Sequence, residues 1–178
     1  MKYFILIMII FSVINVNGQK HFTKTGTIRF EGSVNTFEPV KATNNSTTVV
    51  LDDKGNLAAL TLIKGFRFPI ALMQEHFNEN YMESDDFPKA TLRGALTKYD
   101  SFVKDGSKQI LIFKGTLKMH GVKKELELPV ELALTKAGYE LNSSFELDPN
   151  DFKIDIPSVV KNKIADKIKV IVNATLPE

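Results

Sequence analysis

Residues 109–134 constrain the fold more than any other stretch, because apolar residues alternate on both sides of a tight turn. His120 and Gly121 lie between the two runs, and glycine tolerates the positive φ that a two-residue hairpin loop requires. Such a loop places Phe113 opposite Leu128 and brings the apolar faces of both runs together. The pattern predicts a long antiparallel hairpin with one apolar face.

Alternation of apolar and polar residues predicts strands along most of the remaining chain. Besides the hairpin, they are expected at residues 25–33, 47–51, 57–65, 91–99, 139–147 and 168–176, with residues 152–156 as an extension or ninth strand. A polar loop is predicted at 100–108 and a short helical piece at 158–166. Long unpaired edges would invite aggregation, so this many strands favours a closed barrel. A barrel of about eight strands is filled by side chains or holds one small ligand.

One amphipathic helix is predicted over residues 69–82. Ile70, Met73, Phe77 and Tyr81 recur at spacings of three and four, which places them on one helical face. An isolated helix with an apolar face in a β-rich chain has to cover something apolar. We expect it to lie against an open end or face of the sheet.

The N-terminal residues 1–18 have the pattern of a signal peptide: Lys2 is followed by an apolar run, and Gly18 is a small residue at a suitable cleavage position. An uncleaved anchor is the alternative reading. Residues 19–178 then form one domain of a periplasmic or extracellular protein. The sequence has no cysteine, which excludes disulfides and a lipidated cysteine. Its 23 basic and 21 acidic residues are interspersed, which argues against a nucleic-acid partner.

A catalytic or metal site is weakly indicated. His76 and Glu79 form an H-x-x-E pair on one helical turn, but Asn80 stands where a second zinc-binding histidine would be. His21 lies near the start of the predicted mature chain, and His120 is expected to serve the hairpin turn. We therefore predict no catalytic residues, no metal and no cofactor, and expect His76 to hydrogen-bond near the helix surface.

Three blocks carry a family resemblance: LMQEHFNENYMESDDFPKA (72–90), GTLKMHGVKKELELPV (115–130) and FELDPNDFKIDIP (145–157). They resemble the YceI-like lipid and polyisoprenoid-binding family, in its signal-peptide-bearing branch, and the resemblance covers about residues 25–176. It implies an all-β fold, an eight-stranded antiparallel barrel of the extended lipocalin-like type, whose interior accepts a long apolar chain. The stretch TGTIRFEG (25–32) lacks two histidines that many members carry in the first strand.

The predicted function is binding of a polyisoprenoid, a quinone, or a fatty acid or amide. A ligand-free barrel with an interaction or structural role in the cell envelope is the alternative, and an enzyme comes third. Gly94 and Gly115 interrupt predicted strands, which favours room for a ligand. We expect no transmembrane segment in the mature chain, and a homodimer is left open. The candidate cavity-lining residues are Phe66, Phe68, Ile70, Met73, Phe77, Leu111, Phe113, Leu117, Leu126, Leu128 and Val130.

Overall fold

The chain forms a closed barrel of eight antiparallel strands that neighbour one another in sequence order, as predicted. The structure is a computed structural model and describes residues 19–34 and 39–177, so the predicted signal peptide lies outside the described residues. Pairing of the first strand with the last closes the barrel. The first two strands are longer than predicted. The strands are β1 (Lys20–Ser33), β2 (Lys41–Asp52), β3 (Asn56–Leu62), β4 (Lys89–Leu96), β5 (Gln109–Met119), β6 (Val122–Thr135), β7 (Gly138–Leu147) and β8 (Ile164–Leu176).

The hairpin formed by β5 and β6 has the predicted register. Phe113 pairs with Leu128, and Gly115 pairs with Leu126. His120 and Gly121 have φ values of 49° and 73°, the positive pair that a type I′ turn requires. Local turn chemistry and side-chain alternation therefore suffice to define this part of the barrel.

The predicted amphipathic helix covers residues 71–81. It consists of α1 (Ala71–His76), continued by a π-helical segment, Phe77–Tyr81. Ile70 before it has an extended backbone, so Pro69 precedes the helix instead of forming its first turn. We call residues 71–81 the 71–81 helix. It corresponds to the helix predicted over residues 69–82 and begins two residues later.

The predicted polar loop at residues 100–108 is wrong, because the chain forms helix α2 (Tyr99–Asp105) there. Tyr99 and Phe102 are buried, and their three-residue spacing puts them on one helical face. Gly106, with a φ of 68°, ends the helix in the left-handed conformation that glycine favours. The predicted strand 91–99 is also too long, because β4 ends at Leu96 and Tyr99 begins the helix. Tyr99 and Phe102 belong to a buried apolar cluster and anchor the helix on the barrel.

The predicted continuation of β7 through residues 152–156 is also wrong. A 3-10 turn, Pro149–Phe152, interrupts the strand, and the Asp148 carboxylate accepts a hydrogen bond from the backbone N–H of Asn150 at 2.9 Å. Proline suits the first position of such a turn, because its missing N–H would be unsatisfied there. The helix that follows, α3 (Ser158–Lys161), is shorter than the predicted 158–166, because β8 already begins at Ile164.

The barrel interior is divided into two apolar clusters. The packed end contains Val49, Leu51, Leu57, Leu96, Tyr99, Phe102, Leu111, Phe113, Leu128, Val130, Leu132, Leu141, Ala174 and Leu176. The cavity end contains Ile63, Met82, Ala90, Leu117, Phe152 and Ile154. The packed end collects the last residues of β2, β4, β6 and β8 and the first residues of β3, β5 and β7. Because neighbouring strands run in opposite directions, the two clusters lie at opposite ends of the barrel.

Candidate functional site

The cavity end encloses an apolar cavity of about 600 Å³. Its wall is formed by inward residues of β1, β3, β4, β5, β7 and β8, by residues 66–70, by the 71–81 helix and by the segment between β7 and β8. Leu72 lines it although 57 % of this residue is exposed, so the wall is open to solvent along this side of the helix. The volume falls within the range of roughly 300–1,000 Å³ that is usual for ligand pockets.

Four phenylalanine rings form the most distinctive part of the wall. Phe30 lies 5.3 Å from Phe66, 5.7 Å from Phe68 and 5.4 Å from Phe77, measured between ring centroids. Phe77 in turn lies 5.7 Å from Phe66 and 5.0 Å from Phe68. Aromatic pairs at these distances attract one another beyond their buried area. Phe30, which we did not single out from the sequence as a candidate, is therefore the strand residue around which the aromatic wall is built.

The backbone of residues 66–70 explains how the side chains of Phe66, Phe68 and Ile70 reach the cavity. Arg67 forms an isolated antiparallel bridge with Thr43 of β2, through two backbone hydrogen bonds of 3.1 and 2.9 Å. Extended backbone points successive side chains to opposite faces. Phe66, Phe68 and Ile70 therefore face the cavity.

The polar side chains that line the cavity in the described part of the chain are those of Thr61, His76, Tyr81, Asp148 and Lys163. Those of Asn44 and Thr47 lie next to Thr61. The buried side chain of Asn44 donates to the Thr61 hydroxyl at 2.9 Å and to the Leu62 carbonyl at 3.0 Å. The Thr47 hydroxyl donates to Thr61 at 3.2 Å. Of these residues, Thr61 also lines the cavity. The Thr61 oxygen already accepts from two donors, and most of the remaining wall is hydrocarbon.

The structure separates the eleven predicted candidate residues into three groups. Phe66, Phe68, Ile70, Met73, Phe77 and Leu117 line the cavity. Leu111, Phe113, Leu128 and Val130 lie instead in the cluster of the packed end. Leu126 is half-buried and packs against both clusters without lining the cavity. Contact of any of these residues with a ligand stays a prediction.

Gly94 and Gly115 do not provide ligand space. They face each other across β4 and β5, and a Cβ on either would overlap the backbone of the facing strand. The same Cβ would come within about 2.7 Å of the tip of the Phe113 ring. The two glycines therefore allow a close approach of the strands beneath this ring. The sequence led us to expect that these glycines make room for a ligand, but they serve the packing of β4 against β5.

His76 and His120 differ in their exposure and in their contacts. His76 lies in the 71–81 helix, where it is exposed and lines the cavity, and Glu79 is exposed one turn later in the same helix. His120 is half-buried, with Nδ1 2.9 Å from the Phe152 carbonyl and Nε2 3.0 Å from a Glu83 carboxylate oxygen. His120 thus serves the turn, as predicted, and also connects it to two neighbouring segments. Across residues 19–34 and 39–177 there is no group of three or more metal-ligating side chains.

The residues that line the cavity in the segment between β7 and β8 and in the first part of β8 were not expected as a group. Ile154, Ile156 and Val160 of the segment and Ile164 and Ile168 of β8 all face the cavity. Alternation predicts a strand at residues 168–176, which β8 confirms, whereas the alternating residues 152–156 belong to the segment between β7 and β8 and form no strand.

In the described part of the chain, no helix is long and apolar enough to cross a bilayer.

Comparison with known proteins identifies the fold. Residues 11–176 match the family described as YceI-like domain, whereas curated protein sequences give no match. A polyisoprenoid-binding domain from Saccharophagus degradans has a TM-score of 0.75 at 12 % identity, over 89 % of this chain and 97 % of that one. BcnA from Burkholderia cenocepacia has a TM-score of 0.67 at 15 % identity, over 83 % and 94 %. A YCEI protein from Campylobacter jejuni has a TM-score of 0.58 at 16 % identity, over 80 % and 88 %. At these identities the likenesses show a shared fold.

Proposed function

The chain belongs to the YceI-like family, and from that premise we propose that it is a lipid-binding protein that holds one long apolar chain inside the barrel. The polyisoprenoid-binding domain from Saccharophagus degradans has the same fold, which supports this class of ligand. We further propose that residues 1–18 direct export, so that the protein works in the periplasm or outside the cell. Its role is binding, not catalysis.

The observation that carries the proposal is the apolar cavity of about 600 Å³ beneath the four phenylalanine rings. Burying a methylene group gains about 0.8 kcal/mol, so about ten methylenes give roughly 8 kcal/mol before the cost of immobilising the chain. The net affinity for a chain of that length is then about micromolar or weaker. Polyisoprenoids, quinones and fatty acids or amides all supply a suitable chain.

Titration of the delipidated mature protein with fluorescent fatty acids and isoprenoid alcohols of increasing length tests the proposal. Each added methylene should tighten binding by up to about fourfold until the cavity is full, after which the affinity levels off. Mass spectrometry of organic extracts from natively purified protein should find one amphiphile per chain. A folded sample without saturable binding at any length would favour the alternative, a ligand-free envelope barrel.

Met73 offers a test that leaves the packed end untouched. It is half-buried and lines the cavity, so Met73→Gln puts a polar amide against the ligand. Binding of a long-chain alcohol should weaken about threefold to tenfold, while the free energy of unfolding changes by less than about 0.5 kcal/mol. Glu75→Gln, on the exposed side of the same helix, is the control and should leave the affinity unchanged. Equal affinities for both variants would show that this helix does not contact the ligand.

A further inference from the structure

The outer face of the β5–β6 hairpin contains one pair of facing residues that repel each other. Lys118 of β5 pairs with Lys123 of β6, and both side chains are exposed. Like charges directly opposite each other on neighbouring strands are destabilising. Closer to the packed end the same two strands pair opposite charges, because Lys114 forms an ion pair with Glu127 at 2.7 Å. The facing lysines therefore cost stability where the hairpin otherwise balances its charges, which indicates an anionic partner at this place.

Two further cations and two exposed leucines adjoin these lysines on the outside of the barrel. Leu62 of β3 pairs with Lys89 of β4, and Thr91, which lies between Lys89 and Arg93, pairs with Lys118. Neighbouring strands are about 4.8 Å apart, so a surface from β3 to β6 is about 15 Å wide. We call this surface the outer patch, and its members are Leu60, Leu62, Lys89, Arg93, Lys118 and Lys123, all of them exposed.

The outer patch has an excess of positive charge. None of its four cations has a side-chain hydrogen bond or ion pair within residues 19–34 and 39–177. Glu125, two residues along β6 from Lys123, accepts a hydrogen bond from the hydroxyl of its cross-strand partner at 2.5 Å. In the turn before β4, Glu83 and Asp85 each contact a basic side chain outside the outer patch. Four cations therefore stand against the remaining carboxylate of that turn, Asp86.

The outer patch covers the outside of the wall at the cavity end. Leu62 and Lys118 are each flanked in sequence by two residues that line the cavity, and Lys89 is flanked by one. Successive side chains of a strand point to opposite faces, so the members of the outer patch point away from the cavity. The segment that joins β3 to β4 carries the 71–81 helix and the exposed Leu72. A surface that binds the outer patch therefore lies beside the cavity end and away from the packed end.

We propose that the outer patch is the surface through which the protein docks on an anionic lipid bilayer. The cations attract anionic head groups, and the two leucines reach the boundary between head groups and acyl chains. The outside of a barrel is convex, and no member of the outer patch lines the cavity, which suits a broad lipid surface better than a narrow peptide. Docking requires no ligand in the cavity, so it can fail without the proposed lipid binding failing, and the reverse is also true.

Sedimentation of the delipidated mature protein with vesicles tests the docking. At low salt it should bind phosphatidylcholine vesicles that contain about 30 % phosphatidylglycerol, and it should not bind pure phosphatidylcholine vesicles. About 0.5 M salt should release most of the bound protein. Without Lys2 the chain has 22 of its 23 basic residues against 21 acidic ones, so net charge does not explain such a preference. Absence of binding to the anionic vesicles overturns membrane docking and would favour an acidic protein as the partner.

Two triple variants locate the docking surface. The patch variant is Lys89→Gln, Arg93→Gln and Lys118→Gln, and its matched control is Arg29→Gln, Lys41→Gln and Lys161→Gln. The control removes the same charge from exposed residues of β1, β2 and α3, on the other side of the barrel. Each cation near an anionic membrane strengthens binding by about fivefold, so the patch variant should bind about 100-fold more weakly and the control within about threefold of wild type. Equal losses in both, or a larger loss in the control, overturn the assignment to the outer patch.

The apolar part of the outer patch is tested by Leu62→Thr. This leucine is 54 % exposed, so the change should leave the fold intact but weaken binding to the anionic vesicles about fivefold. Ile110→Thr, which changes an exposed residue of β5 at the packed end, is the control and should bind like wild type. Thermal denaturation of each variant checks that it is folded. Equal binding of the two variants overturns the insertion of the leucines into the bilayer.

Discussion

The packed end and the cavity end of the barrel are built from the same eight strands, yet one is filled and the other is not. At the packed end, Phe113 is fully buried against Gly94 and Gly115, and Phe102 of α2 is fully buried in the same cluster. At the cavity end, most of the large aromatic side chains come from residues 66–81, outside the strands. The segment that closes each end therefore decides whether strand alternation produces a core or a cavity.

The largest effect should come from the packed end. Phe113→Ala removes a ring with no exposed surface and leaves a void above two glycines, so it should lower the free energy of unfolding by about 3–5 kcal/mol. Urea denaturation measures this loss in the free energy of unfolding. Ile110→Ala on the same strand is the control, because this side chain is 70 % exposed and should change stability by less than about 0.5 kcal/mol. Similar losses for both would contradict a packed core around Phe113.

The comparison also shows which features follow from local sequence. The hairpin register was predictable because a two-residue turn fixes the pairing and the apolar faces confirm it. The division of the interior into a packed end and a cavity end was not predictable. Leu111 and Leu117 share one face of β5, but Leu111 lies at the packed end and Leu117 at the cavity end. Which inward side chains meet depends on how neighbouring strands are staggered around the barrel.

His120 gives the second largest expected effect, because the rim of the cavity end is held by polar contacts. Its two ring nitrogens face the Phe152 carbonyl and Glu83, and both can donate only when the ring is protonated. His120→Asn keeps a residue that tolerates the positive φ but removes the ring, and should cost about 2 kcal/mol. Lys123→Gln, an exposed neighbour, is the control. If chemical denaturation gives the same free energy of unfolding for His120→Asn and Lys123→Gln, the His120 contacts do not hold the rim.

Phe77 tests the cavity end directly. The ring is half-buried and contacts the other three phenylalanines, so Phe77→Ala should lower the free energy of unfolding by about 1–2 kcal/mol, less than Phe113→Ala. A saturating long-chain alcohol should stabilise the wild-type protein more than the variant, by thermal denaturation, because the variant binds it more weakly. A loss as large as that of Phe113→Ala would show that the four rings form a packed core.

The smallest effect concerns Asp52, the last residue of β2, where the chain turns into β3 at the packed end. Partial burial raises the pKa of this carboxyl, but hydrogen bonds from the side chain and backbone of Asn56 and from the backbone of Lys54 outweigh it, so its pKa is lower than usual. A lowered folded-state pKa means that the stabilisation is present above the unfolded pKa, near 4, and is lost as the pH falls through the folded value.

Asp52→Asn keeps the shape of this side chain but removes its charge, so it should cost about 0.5 kcal/mol at pH 7 after solvent screening. The difference should shrink as the pH is lowered, because a protonated carboxyl and a side-chain amide accept similarly from the donors of the turn. Glu140→Gln removes a carboxylate from the exposed face of β7 and serves as the control for net charge. The test is to measure the free energy of unfolding of the wild-type protein and both variants from pH 7 to about pH 2.5. A difference between wild type and Asp52→Asn that stays constant over this range would show that the charge of Asp52 does not stabilise the turn.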